Sequence, residues 1–153
     1  MSEVKVFIEG KTKKYDAGTR IKDIAGEYSH LYRYDIIAAI RNGKVTELNK
    51  RIEKDCKLSF VTTDTVIGNS IYIRGLSMLM LKAMYNVVGH DNVDKVAIEA
   101  TIGNAYYCEF EGKVKLDDGL LAKVSEKMHE YVKRDMTFKK MSMSTDDAVK
   151  MFA

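Results

Sequence analysis

The run IYIRGLSMLMLKAMYNVV, Ile71 to Val88, is the most apolar stretch of the chain, and three of the nine methionines lie in it. Any fold must find cover for it. A membrane span needs about 20 apolar residues, and each central charge costs about 2.5–3.5 kcal/mol on insertion scales. This run holds 18 residues and includes Arg74 and Lys82, so the membrane reading is rejected. Its polar positions, Arg74, Ser77, Lys82 and Asn86, fall on a narrow strip of a helix that wants cover on most sides. The methionines are read as core filler, since Met packs irregular gaps. A homodimer contact through this helix, or an exposed apolar patch along Met78, Leu81 and Met84, is expected.

The 153 residues suit one or two small domains. Hydrophobic residues make up 46% and charged residues 31%, an ordinary globular balance. The net charge of +3 is too small to argue for nucleic-acid binding on charge alone. Proline is absent and no linker tract is visible. Cys56 and Cys108 lie far apart, with no CxxC pair, which points to a reducing compartment. The start MSEVKVFIEG enters a strand pattern directly, so a cytoplasmic location is expected and secretion is not.

Val4, Val6 and Ile8 alternate with Lys5, Phe7 and Glu9 and predict a strand. A turn at Gly10-Lys11 and a second strand in TKKYDAG complete a hairpin. Thr19 is placed as the cap of a short helix with Ile21, Ile24 and Ala25 inward. Asn42-Gly43 then marks a tight hairpin, because both turn positions need positive φ. CKLSFVTT supplies a further strand. The order β-β-α-β-β-β over residues 3–63 is a small mixed sheet with one helix across it, as in β-grasp folds.

After residue 63 the pattern changes. The helix at Ile71–Val88 precedes two strands in KVAIEATIGNAYYCEF. A second amphipathic helix follows, with Leu120, Leu121, Val124, Met128, Tyr131 and Val132 at helical spacing. TFKKMSMS alternates imperfectly and is read as a strand. Ser144 with Asp147 forms a capping pair ahead of TDDAVKMF. The chain stops in that helix, which reads as truncation of the second domain.

Residue chemistry offers little for catalysis. Gly10-Lys11-Thr12 mimics the end of a P-loop, but Lys5 stands where the first glycine is due and strands flank the segment. His30, His90 and His129 show no metal spacing, and no metal site is expected. Asp117-Asp118 and Asp146-Asp147 sit in first helical turns, where negative charge suits the helix end. Lysines and arginines cluster at Lys11, Lys13 and Lys14, at Arg41 and Lys44, and at Lys133, Arg134, Lys139 and Lys140, each with acids nearby. A solvated face is the default for them, and an RNA-facing patch is the alternative. Tyr28, Tyr32 and Tyr34 flank Arg33, a mix read as packing or partner contact ahead of base stacking.

KVTELNKRIEKDCKLSFVT resembles the ending of TGS domains, the ubiquitin-like β-grasp modules at the start of threonyl-tRNA synthetases, found also in some GTPases and stringent-response synthetases. IGNAYYCEF, Ile102–Phe110, is similar to the IEDGFYYDF pattern of that synthetase's editing domain. LLAKVSEKMHEYVKRDMTFKKMSMSTDDAVKMF resembles its later helices. The resemblance is collinear over nearly the whole chain. It implies an α+β fold: a β-grasp TGS domain at residues 1–63 and the N-terminal part of an editing-like domain at 64–153.

The editing helix of the family reads RHSxxHLL, and here the matching run is RGLSMLML. Arg74 stays, while Gly75 and Leu79 stand at the histidine positions. Neither can replace an imidazole as ligand or proton carrier, so no editing activity is expected and no catalytic residue is assigned. A TGS module joined to a histidine-less editing-like segment is similar to the N-terminal region of bacterial uridine kinase-like proteins. That resemblance implies a non-catalytic regulatory, ligand- or RNA-binding module. Its partner would be a C-terminal kinase domain of the same chain, and ATP and Mg would belong only to that domain. The alternatives are a piece of a synthetase-like tRNA-editing protein and a stringent-response-type module contacting tRNA. Candidate ligand or RNA contacts are Lys13, Lys14, Arg41, Arg74 and Tyr107.

Overall fold

The computed structural model describes residues 2–103 and 105–152. Met1, Asn104 of the IGNAYYCEF segment and Ala153 lie outside the described residues. The fold is α+β in two units, residues 1–78 and 79–153, and the division falls inside one long helix.

The first unit is built on a five-stranded sheet. Strands β1 (Glu3–Ile8) and β2 (Lys11–Asp16) form the predicted hairpin. Its turn is at Glu9-Gly10, one residue earlier than expected, because these two residues have positive φ (48° and 76°). Helix α1 (Ile21–Tyr28) follows, then β3 (Ile36–Arg41), β4 (Lys44–Thr46) and β5 (Cys56–Thr62). The strand order is β2-β1-β5-β3-β4, with β1 and β5 parallel in the middle and all other pairs antiparallel. The Asn42-Gly43 turn between β3 and β4 has φ of 49° and 80°, as its residue types demand.

Alternation decides which face is covered. Val4, Val6 and Ile8 of β1 join Leu58 and Phe60 of β5 and Ala39 of β3 under Ile21, Ile24 and Ala25 of α1. Ile52, from the connection after β4, is fully buried in the same core. Each of the valine, leucine, isoleucine and phenylalanine side chains among them contributes about 1.5–3 kcal/mol on burial. Thr19 does not cap α1: Arg20 holds the cap position, and the Thr19 hydroxyl donates to the Asp16 carbonyl at 2.7 Å. Tyr28 and Tyr32 pack on Phe60, with ring centroids 5.9 and 6.0 Å away. Tyr34 is exposed, with the Arg33 guanidinium 5.4 Å from its ring.

Helix α2 (Val66–Val88) is 23 residues long and begins five residues before the apolar run. Its start lies against the end of β5, where a Cβ at Gly68 would sit 1.9 Å from the Thr62 carbonyl oxygen. Only glycine fits that approach. None of the described helices is long and apolar enough to cross a membrane. The expected apolar patch is not continuous: Met78 is exposed, Leu81 is half-buried and Met84 is buried.

The second unit carries a long hairpin, β6 (Val93–Ile102) with β7 (Ala105–Gly112), then α3 (Asp118–Lys133) and α4 (Thr145–Phe152). Its core is Leu79, Ala83, Met84 and Val88 of α2 with Val124 and Tyr131 of α3; Val96 and Phe110 of the hairpin pack against it. Asp117 caps α3 by accepting from the Leu120 amide at 2.8 Å. Leu121 and Val132, placed on the apolar face by their spacing, are exposed. TFKKMSMS forms no strand; no partner strand reaches it to repay its imperfect alternation. The Ser144 cap forms as expected, its hydroxyl accepting from the Asp147 amide at 3.2 Å and donating to the Asp147 carboxylate at 2.7 Å.

Candidate functional site

The first unit does not gather Lys13, Lys14 and Arg41 at one place. Lys13 and Lys14 are consecutive on β2 and point to opposite faces. Lys13 Nζ is 2.5 Å from Glu27 Oε2 of α1, and the Tyr15 hydroxyl donates to the same oxygen at 3.1 Å. Lys14 pairs with Glu3 at 2.7 Å. These hydrogen bonds raise both lysines above the ordinary value. Arg41 lies on β3, three strands from β2 in the sheet order, or about 14 Å away at the usual strand spacing.

Arg41 lines a groove of about 250 Å³ with Asn42, Arg51, Glu53, Lys54, Asp55 and Cys56. Its guanidinium donates to the Arg51 carbonyl at 3.3 Å, and Arg51 in turn donates to the Gly18 carbonyl at 2.7 Å. The segment that carries Arg51 is held by backbone bonds: Gly18 and Ile21 amides donate to Ile52 and Lys50, and the Ile52 amide donates to Thr19. Buried Ile52 pins its charged neighbours outward. Three cations thus face a groove with two carboxylates, and one of these, Asp55, accepts from the Lys5 amide at 2.8 Å. Each arginine uses one nitrogen on a neutral carbonyl, which orients the guanidinium without neutralising it. Such an arrangement suits phosphate oxygens.

Arg51 and Lys54 were missed in the sequence. The signal was present in KRIEKD, where a lone isoleucine among charges must turn inward and fix the residues beside it. Cys56 also lines the groove. Burial and Asp55 push its thiol up, against the lowering effect of Arg41.

The helix positions expected to have lost histidines hold no replacement chemistry. Gly75 is half-buried, with nothing within 4 Å of where a Cβ would stand, and Leu79 is buried in the second core. Arg74 and Tyr107 are both exposed. His129 Nδ1 lies 2.8 Å from the Ser125 carbonyl, and His90 stacks on Tyr85 at 4.9 Å. Among the described residues no three His, Cys, Asp or Glu side chains converge as a metal site.

No family model matches the chain. Among curated proteins, the threonine–tRNA ligase of Thermotoga petrophila is 31% identical over 145 residues, covering 94% of this chain and 22% of that protein. Those of Clostridium kluyveri and Exiguobacterium are 28% and 27% identical, covering 92% and 94% of this chain and 22% of each relative. Over nearly its whole length the chain is thus similar to one part of threonine–tRNA ligases, and it spans 22% of the length of the relatives it matches.

Proposed function

We propose that this chain is a tRNA-contacting, non-hydrolytic module of a threonine–tRNA-ligase-like protein, with a TGS-type first unit. The observation that carries the reading is the groove at Arg41, Arg51 and Lys54, where hydrogen-bonded backbone aims two guanidinium groups outward. The names of the relatives support tRNA as the partner. Gly75 and Leu79 leave those two positions of α2 without a group that could carry a proton or activate water, so the module binds and does not edit. The nucleoside-kinase reading draws no support from these relatives, and the ATP and Mg expected with it have no assigned residues here.

Titration with deacylated tRNA at several salt concentrations tests this. Binding weakens as salt rises, and Arg41→Ala or Arg51→Ala each lowers the log–log slope by roughly 0.7–0.9. Salt-independent absence of binding sinks the reading. So does measurable deacylation of mischarged tRNA, which would remove its non-hydrolytic half.

A further inference from the structure

The sheet of the first unit has a second face, away from α1, and it carries a pattern that the groove does not explain. Strand register places Phe7 of β1 beside Lys57 of β5 on one side and Thr12 of β2 on the other. Lys5 stands two residues before Phe7 on the same face, opposite Lys14. Phe7 is 42% exposed although its strand is internal to the sheet. The Lys57 ammonium lies 5.7 Å from the centre of its ring. The exposure is local, since Val61 and Ala38, on the same face further along, are buried.

An aromatic ring lying open among lysines is the pairing that binds unstacked bases: the ring takes the base and the ammonium groups take the phosphates. Among the described residues neither Lys5 nor Lys57 forms an ion pair. Lys14 is engaged with Glu3, so it adds less. The platform also adjoins the arginine groove, because the Lys57 amide donates to the Asn42 side chain at 2.8 Å and Asn42 lines that groove. Arg41 itself lies on the α1 face, opposite Leu58, so the platform and the groove meet only at the end of the sheet.

We propose that this face is a base-stacking platform for single-stranded RNA, with Phe7 as the stacking ring and Lys5 and Lys57 as phosphate contacts. The proposal rests on the RNA-contact reading above and names a second surface for it.

The chain has no tryptophan, so Phe7→Trp installs a single selective fluorophore at the platform. Titration of that variant with a short unstructured RNA oligonucleotide is expected to quench it. Phe7→Leu, at an exposed position, is expected to melt like the parent and to bind the oligonucleotide roughly 5- to 100-fold more weakly. Lys5→Ala and Lys57→Ala each reduce the salt slope by about 0.7. If Phe7→Leu binds as tightly as the parent, or Phe7→Trp is not quenched while Arg41-dependent tRNA binding persists, the platform is wrong and the broader reading stands. If the parent chain binds neither RNA, both fail, and the face belongs to a protein partner.

Discussion

Gly75 and Leu79 stand one turn apart on the same side of α2, in opposite surroundings. A Cβ at Gly75 would meet nothing within 4 Å, whereas Leu79 is buried in the second core. A glycine inside a helix costs about 0.5–1 kcal/mol relative to alanine. Gly75→Ala is therefore expected to raise stability by about that amount, read as a higher urea midpoint with unchanged slope. Leu79→Ala deletes core volume and is expected to cost about 2–5 kcal/mol. A destabilised Gly75→Ala chain would mean that the space beside Gly75 is filled in solution.

The ion pair of Lys13 with Glu27 joins β2 to α1 and has a defined pH signature. The Lys13 hydrogen bond holds the Glu27 carboxyl below its ordinary 4.5. A depressed carboxylate stabilises the fold fully above the unfolded value and loses that contribution as pH falls through the folded value. Stability from this pair is thus expected to be level near neutral pH and to decline below about pH 4.5. Glu27→Gln flattens that part of the acid limb. The effect is small, because both side chains are about half exposed (52% and 44%), and it shrinks further in high salt. Urea midpoints from pH 3 to 7 for both chains measure it; parallel acid limbs would show that the pair is idle.

Periodicity made the inner face of the first sheet legible, because Val4, Val6 and Ile8 could be inward only together. Asn42-Gly43 was legible for a stricter reason, since few residue pairs tolerate two positive φ values. The candidate site was legible only in part. Arg41 was visible as a charge, but its partner Arg51 comes from a separate segment and meets it through backbone bonds that no local spacing encodes. Lys13 and Lys14 drew attention as neighbours in the chain, yet strand alternation sends them to different faces and different acids. The second unit was harder to read, because its small core is shared by α2, α3 and a two-stranded hairpin. Spacing alone marked Leu121 and Val132 as inward, but α3 meets that core through Leu120, Val124, Met128 and Tyr131, and both are left exposed.

The two thiols differ in a way that reports on the groove. Cys56 opens β5 and is half-buried beside Arg41 and Asp55, while Cys108 on β7 is exposed. Burial pushes the Cys56 thiol above its ordinary 9.0, and alkylation needs the thiolate. Iodoacetamide at neutral pH is expected to label Cys108 first and Cys56 several-fold more slowly. The slow phase disappears in Cys56→Ser and accelerates as pH rises. Because Cys56 lines the groove, tRNA seated on Arg41 and Arg51 slows its labelling further and leaves the fast phase alone. Equal rates for the two thiols would contradict the burial of Cys56. Protection of Cys108 instead of Cys56 would move the bound RNA away from the groove.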